Sequence, residues 1–260
     1  MLKKALVSLD DWLRRFVRSV GIVFLLTVKG IAGIFVPPFN FMLVVKEVDN
    51  IGTKSLIVVD LMALFGGMVL ALQTIYGLRE FGAELYVGTV VSLSLVRELG
   101  PVFTAIMVGA RVGSGITAEI GSMQVTEQID AIRALGADPI KKLVTPKIIA
   151  SVLVLPLLAV SADVVGIFGG LVVSIFELNI DYHYYLESVW DTIKISDFLS
   201  GVGKTIFFGL IISIFGCYYG FSTYGGTTGV GRSTTVAVVT ISVLILISDF
   251  FITKLFMLIF

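Results

Sequence analysis

Two adjacent charged residues, Arg97 and Glu98, interrupt an apolar segment that runs from residue 86 to residue 110. A charge near the centre of a membrane-spanning helix costs at least about 2.5 kcal/mol to insert, so both side chains need compensation. Neighbouring helical residues point in directions about 100° apart, so these two do not pair well with each other. Each therefore needs a partner on another helix or a water-filled cavity.

Two interpretations of Arg97 and Glu98 are open. In the first they form interhelical ion pairs, and the sequence offers four partners: Asp60, Asp163, Asp249 and Lys204. In the second they form the polar edge of a cavity, where the Arg97 guanidinium binds a phosphate through two hydrogen bonds. Lys204 begins a later apolar segment, so we expect its side chain to snorkel to the membrane surface, with headgroup binding as a secondary role.

A second candidate binding surface lies on an earlier apolar segment. Leu70, Gln73 and Tyr76 recur at steps of three residues and share one helical face with Gly77. An apolar wall that carries one amide and one phenol suits acyl chains beneath a headgroup. Ordinary helix packing explains each of these residues equally well.

Motifs of catalytic chemistry are incomplete in this sequence. GVGKT at 201–205 resembles the end of a phosphate-binding loop, but the glycine required five residues before Gly203 is Phe198. His183 and Cys217 are the single histidine and the single cysteine, which leaves no ligand set for zinc and no nucleophile with a histidine beside it. We predict no catalytic residue, metal or cofactor in this chain. The balance of 19 basic and 19 acidic residues gives no indication of nucleic-acid binding.

The composition indicates that a membrane surrounds the elements that position these residues. Hydrophobic residues make up 57% of the 260 positions, charged residues make up 15%, and the mean hydropathy is +1.01. A bilayer core of roughly 30 Å needs about 20 apolar residues per helix, and five segments meet that criterion. They are residues 55–76, 86–110, 148–176, 198–222 and 233–258. The predicted fold is an all-α integral membrane protein.

The region before these segments, residues 1–45, is predicted to lie at the membrane surface. Its first 20 residues place apolar side chains at steps of three and four, with lysines and arginines on other faces, as in a basic interfacial helix. The apolar stretch 21–45 contains Lys29 and the Pro37–Pro38 pair, which stops a helix. We interpret this stretch as an embedded elbow and not as a full span, with residues 46–260 forming one transmembrane domain.

Lysines and arginines are unevenly distributed among the connections. Residues 1–54 hold eight of them and residues 111–147 hold five, whereas 77–90 and 177–197 hold one each. By the positive-inside rule, the N-terminus and the 111–147 segment are cytoplasmic. Five spans then place the C-terminus on the opposite side of the membrane.

A hydrophilic segment, residues 121–139, separates two of the apolar segments. Thr126 is a helix cap by residue type, and Gly136 stops the helix predicted over about 126–136. Its apolar residues form one stripe: Val125, Ile129, Ile132 and Leu135. The other faces carry Glu127, Gln128, Asp130 and Arg133. So short a helix must dock, and lipid headgroups, its own domain and a groove on a cytosolic partner are all open as the docking surface.

Several long strings carry a family resemblance. They are EIGSMQVTEQIDAIRALGADPIKKLVTPK at 119–147, LSLVRELGPV at 93–102, GMVLALQ at 67–73, LPLL at 155–158 and GVGRSTTVAVV at 229–239. Together they resemble the MlaE (YrbE) family of ABC-transporter permeases, which move phospholipids between bacterial membranes. The resemblance extends over most of the chain from about residue 45.

The resemblance implies an interfacial helix plus five transmembrane helices in a bacterial inner membrane. It implies a homodimer between two cytosolic ATPase subunits, which hold the ATP and magnesium, and a periplasmic lipid-binding protein of the MCE type. Its lipid pocket would involve Leu70, Gln73, Tyr76, Arg97, Glu98 and Lys204. Its ATPase-coupling residues would be Glu119, Glu127, Gln128, Ile129, Ile132, Arg133 and Leu135. The alternative is an ion-coupled secondary transporter of a small or amphipathic substrate, which would need a repeat pattern that the sequence lacks.

Overall fold

A computed structural model describes residues 2–37 and 41–259, and every regular element in these two ranges is helical. The helices are α1 (Leu2–Phe35), α2 (Phe41–Arg79), α3 (Glu84–Val125), α4 (Gln128–Ala134), α5 (Ile140–Leu178), α6 (Tyr182–Thr192), α7 (Ile195–Phe221) and α8 (Gly226–Ile259). Within them, π-helical turns occur at Asp49–Thr53, Leu95–Leu99, Gly109–Gly113 and Ile140–Val144. The predicted all-α fold is confirmed.

Six helical segments among the described residues are long and apolar enough to cross a membrane. The five predicted spans correspond to α2, α3, α5, α7 and α8. The sixth segment is Val17–Phe35, the apolar part of α1, and it combines the end of the predicted interfacial helix with the first part of the predicted elbow, residues 21–45. By length and composition this segment also qualifies as a span, so its assignment to an embedded elbow stays a prediction.

The predicted interfacial helix and the first part of the predicted elbow form one continuous helix, α1. It ends at Phe35, just before Pro37, as expected for a residue type that blocks helix propagation; Pro38 lies outside the described residues. The remaining part of the predicted elbow begins α2. Gly30 brings α1 close to α5, where the Thr145 hydroxyl donates to the Gly30 carbonyl at 2.9 Å.

Glycines bring α2 and α5 into backbone contact. A Cβ added to Gly67 would lie 2.0 Å from the carbonyl oxygen of Gly166, and one added to Gly169 would lie 2.4 Å from that of Leu64. Only residues without a Cβ permit so close an approach. The contacts between Gly52 and Val154 and between Gly67 and Gly166 follow one another in the same direction on both helices, so α2 and α5 pack as a tight parallel pair.

The main hydrophobic core lies between this pair and α7, with α3 and α8 completing it. Its fully buried members include Val108, Leu155, Phe208, Ile212 and Ile241. The short helix α6 packs its Tyr185 and Val189 on the start of α3. The bundle therefore has an α4 end, where α3 and α7 finish, and an α6 end, where they begin.

Candidate functional site

Arg97 lies in a π-helical turn of α3 that is followed by Gly100 and then by Pro101. The turn covers Leu95–Leu99, and Pro101 has no N–H to donate to the Arg97 carbonyl four residues earlier. The ammonium of Lys204 on α7 donates to that carbonyl instead, at 3.0 Å. The break in the helical hydrogen-bond pattern thus supplies an acceptor for a lysine from another helix. Such π-helical turns are frequent at functional sites.

A buried carboxylate, that of Asp197, compensates the charge of Arg97. The Nε and Nη2 groups of Arg97 both donate to Asp197 Oδ1, at 2.8 and 2.5 Å. The other oxygen of Asp197 accepts from the backbone N–H of Lys194 at 3.0 Å, within the capping box that starts α7. An interhelical ion pair was among the predicted alternatives, but the suggested set of partners was wrong for Arg97. Asp197 lies 100 residues further along the chain, in the first turn of another helix.

Lys204 is fully buried and joins three helices. Its ammonium lies 2.6 Å from Glu98 Oε2 on α3 and 3.2 Å from Asp249 Oδ1 on α8. Thr253 on α8 also donates to Glu98, at 3.1 Å. The predicted pairing of Glu98 with Lys204 is therefore present. The expectation that Lys204 snorkels to the membrane surface is wrong, because two carboxylates and a free carbonyl surround its ammonium inside the bundle.

These charges border a cleft of about 320 Å³ near the α6 end, which we call the Arg97 cleft. Its lining residues are Arg97, Glu98, Lys194, Ser196, Asp197, Ser200, Thr253, Phe256 and Met257. The Arg97 side chain is 50% exposed, whereas Asp197 behind it is 5% exposed. The cleft combines two cations, two anions, three hydroxyl groups and two apolar side chains, which is a surface suited to a polar headgroup joined to an apolar chain.

Two other suggested partners, Asp60 and Asp163, do not contact Arg97 or Glu98. Asp60 accepts a hydrogen bond from the Ser161 hydroxyl at 2.9 Å. Asp163 is buried against Gly100, where an added Cβ would lie 1.7 Å from its Oδ1. These two carboxylates belong to the contacts between α2, α3 and α5 and not to the Arg97 cleft.

Leu70, Gln73 and Tyr76 lie on an outer face of α2, away from the Arg97 cleft. Gln73 is exposed, Tyr76 is 78% exposed, and Leu70 is partly buried beside the α6 end of the core. None of the three lines the cleft. Within one subunit the structure therefore does not bring the two predicted parts of the binding site together.

The predicted helix over 126–136 is shorter and begins differently. It covers Gln128–Ala134, and Glu127 precedes it in a left-handed conformation with φ of 59°. Thr126 does not cap this helix, because its hydroxyl donates at 2.8 Å to the Ser122 carbonyl of the preceding helix. Gly136 follows the helix with φ of 76°, in agreement with the predicted stop.

The apolar stripe of α4 does not face a single direction. Ile129 is fully buried within the main core of its own chain, whereas Leu135 is 85% exposed. The assignment of Ile129 to a partner's groove is therefore wrong for this conformation, because its side chain anchors α4 to the bundle. Ile132 is partly buried, and Glu127, Gln128 and Arg133 are exposed. The surface open to a partner consists of Leu135 and the polar faces of α4.

Glu119, also predicted to couple to the ATPase, takes part in a second ion-pair group at the α4 end. Lys147 at the start of α5 is almost completely buried, and its ammonium lies 2.7 Å from Glu119 Oε2 and 2.5 Å from Glu47 Oε1. Neither Lys147 nor Glu47 is recognisable as a site residue from the sequence pattern. Both lie at the boundaries of apolar segments, where a charge commonly faces the membrane surface, so nothing in their spacing indicates a buried pair.

Comparisons with known proteins agree with this architecture. A family model described as Permease MlaE matches residues 44–255. A probable ABC transporter permease protein of Rickettsia typhi is 46% identical over 241 residues, which cover 93% of both chains. One of Synechocystis is 41% identical over 247 residues, covering 94% of this chain and 91% of the relative. The protein TRIGALACTOSYLDIACYLGLYCEROL 1, chloroplastic, of Arabidopsis thaliana is 40% identical over 211 residues, covering 81% and 60%.

The match covers most of the chain, and several helices of the structure are long and apolar enough to cross a membrane. Relatives at 41–46% identity, matched over nearly their whole length, are described as probable ABC transporter permease proteins. The chain belongs to the MlaE permease family and is a multi-pass permease subunit of an ABC transporter.

Proposed function

We propose that this permease moves phospholipids in an ATP-driven transporter, and that a lipid phosphate binds in the Arg97 cleft. The observation that carries the proposal is the half-exposed guanidinium of Arg97, held from behind by buried Asp197. The ion pair uses Nε and Nη2, and a guanidinium has five N–H donors in a fixed plane. The Nη1 edge is therefore free to bind a phosphate, and the fixed side chain loses little entropy when it does so.

The size of the Arg97 cleft supports a homodimer. A cleft of about 320 Å³ is at the small end of ligand pockets, which measure roughly 300–1,000 Å³. It accommodates a headgroup but not two acyl chains. The exposed face of α2 with Gln73 and Tyr76 then provides the remaining wall, contributed across the contact with a second copy.

We expect two copies of the chain in the purified protein, even without any partner protein. The measurement is the mass of the protein in a mild detergent, corrected for bound detergent and lipid. A monomer that transports lipid after reconstitution with its partners would contradict the homodimer.

The exposed surface of α4 is the proposed contact with a cytosolic ATPase, which holds the ATP and magnesium. Leu135 offers an apolar anchor, and Glu127, Gln128 and Arg133 surround it with polar groups.

The basic segments around α1 and α4 support a cytoplasmic position for this end in a bacterial inner membrane. With five spans, the C-terminus would be periplasmic. The family resemblance supports an MCE-type lipid-binding protein as the partner on that side.

A lipid with two acyl chains as the substrate is also consistent with one relative. The Arabidopsis thaliana relative is named after trigalactosyldiacylglycerol, a diacyl lipid without a phosphate, so its name supports the acyl chains and not the phosphate. The remaining alternative, an ion-coupled secondary transporter, predicts transport without an ATPase. Transport of labelled lipid by the reconstituted permease alone, driven by an ion gradient, would favour that alternative.

The substitution Arg97→Lys tests the proposed phosphate contact. It keeps a positive charge beside Asp197 but removes the planar fork, so we expect transport of labelled phospholipid by the reconstituted complex to fall about tenfold. The matched control is Arg79→Lys, since Arg79 is exposed and its ion pair among the described residues, with Glu84 at 3.7 Å, lies outside the cleft. Wild-type transport by Arg97→Lys, with normal amounts of bound ATPase, would contradict the assignment.

A further inference from the structure

A second charged cleft lies at the α4 end of the bundle, between α2, α3 and α5. It measures about 260 Å³ and includes Arg111, so we call it the Arg111 cleft. Its polar lining residues are Glu47, Asn50, Lys54, Arg111, Glu119 and Lys147. The proposed function assigns no role to this cleft.

Two cations in the Arg111 cleft have no carboxylate partner in the ranges that the structure describes. Lys54 donates to the side-chain oxygen of Asn50 at 2.5 Å. Arg111 donates to the Ser55 hydroxyl at 2.7 Å and to the Asn50 carbonyl at 3.4 Å. All of these acceptors are neutral, so the contacts orient the two cations without cancelling their charge.

The carboxylates of the same cleft are already engaged. Glu47 and Glu119 both bind the buried ammonium of Lys147, at 2.5 and 2.7 Å. They are held at that ammonium, while Lys54 and Arg111 remain exposed. The Arg97 cleft differs in this respect, because Asp197 neutralises its arginine. The Arg111 cleft is therefore the better anion site in this conformation.

The shape of the cleft leaves room for a ligand. A Cβ added to Gly115, one helical turn after Arg111, would meet no atom within 4 Å. Arg111 also lies in a π-helical turn, Gly109–Gly113, as Arg97 does in Leu95–Leu99. The two arginines are 14 positions apart, which corresponds to about 21 Å along α3, compared with a bilayer core of roughly 30 Å. The two arginines are therefore far enough apart to serve different leaflets.

We propose that Lys54 and Arg111 bind a phosphate group, and that this phosphate belongs to a phospholipid in the leaflet on the α4 side. The proposal rests on the proposed function, and it adds a second headgroup site on α3 to the Arg97 cleft. A lipid that crosses the bundle would pass between these two sites. A free phosphate ion has the same binding chemistry, and the experiment distinguishes the two sources.

The test is photolabelling of the full chain, with its ATPase, in lipid nanodiscs. The probe is a phosphatidylglycerol analogue with a photoreactive group on its headgroup, and labelled segments are identified by mass spectrometry. In the unsubstituted protein we expect labelling of residues 41–62 and 108–119. The double variant Lys54→Gln with Arg111→Gln should reduce this labelling at least about tenfold, since it removes both charged contacts.

The matched control is Lys46→Gln with Arg232→Gln. It removes the same two types of charge from exposed positions that do not line the Arg111 cleft, and it should leave the labelling unchanged. Equal labelling of the unsubstituted protein and the Lys54/Arg111 variant would overturn the proposal. Release of the ATPase by that variant with undiminished labelling would also overturn it, because the two cations would then bind the partner protein.

Inorganic phosphate at millimolar concentration separates the two sources of the ligand. If labelling by the lipid probe persists in the presence of inorganic phosphate, the ligand is a lipid headgroup. If inorganic phosphate abolishes the labelling, the ligand is a free anion, and that part of the proposal is overturned. Failure of this proposal is distinguishable from failure of the proposed function. If only this proposal fails, the Arg97 cleft is still labelled and Arg97→Lys still lowers transport. If the proposed function fails, the Arg97 cleft is not labelled and Arg97→Lys does not lower transport.

Discussion

Replacing Lys204 with Met is expected to lower the free energy of unfolding of the permease by about 3 kcal/mol, because it leaves two carboxylates without their cation. Glu98 and Asp249 both depend on the buried ammonium, at 2.6 and 3.2 Å. Glu98 keeps some access to water in the Arg97 cleft, which places the effect at the lower end of the range for broken buried pairs. The free carbonyl of Arg97 also loses its donor.

Thermal unfolding of the purified protein in detergent measures this effect. Lys254→Met is the control, since Lys254 is an exposed lysine on the same helix as Asp249. Adding Asp249→Asn to Lys204→Met should restore part of the lost stability by removing one unpaired charge. If Lys204→Met and Lys254→Met unfold at the same temperature, the charged group does not hold α3, α7 and α8 together.

Two substitutions in the α4 region are expected to have large effects on different properties, one on the stability of the permease and the other on its binding of the ATPase. Ile129→Asp places a carboxylate in a fully buried position, so we expect it to destabilise the permease itself by several kcal/mol. Leu135→Asp changes an exposed side chain, so the permease should remain folded while the ATPase is lost from the complex and transport stops. The two residues are six positions apart and both are apolar, which makes them a matched pair.

Two measurements distinguish these effects: the yield and melting temperature of the permease without its ATPase, and the amount of ATPase that co-purifies with it. A normally stable Ile129→Asp permease that lacks only the ATPase would show that Ile129 faces the partner. Full retention of the ATPase by Leu135→Asp would remove α4 from the proposed ATPase contact.

The sequence was informative where a single physical requirement determines the structure. Long apolar runs predict the helices because backbone hydrogen bonds in lipid must be satisfied within the segment. Because a charge inside the membrane needs a partner, an interhelical ion pair was predicted for Glu98, and Lys204 was one of the suggested partners. The partner of Arg97 was not predictable in this way, because Asp197 lies in a polar connection that otherwise suits water.

The orientation of α4 is a second feature that the sequence alone does not determine. A stripe of apolar residues indicates that a helix docks on one side, but the same stripe fits its own domain and a partner equally well. The structure divides the stripe, with Ile129 inside and Leu135 outside, because the helix ends before Leu135 and the chain turns away at Gly136. In α1, apolar composition alone does not separate a surface elbow from a span, since Val17–Phe35 satisfies the criteria of length and hydropathy.

The glycine contacts between α2 and α5 also constrain how the permease can move. Where the backbones touch at Gly67 and Gly166, a shift along the helix axis would bring residues with side chains, such as Ala63, against the opposite backbone. The pair therefore cannot slide and behaves as one rigid body during a transport cycle. The apolar part of α1 and α8 are the least enclosed, since only 17% of the most apolar stretch of each is buried in the bundle. If the proposed lipid route opens and closes, we expect α8 and its neighbours to move relative to this rigid pair.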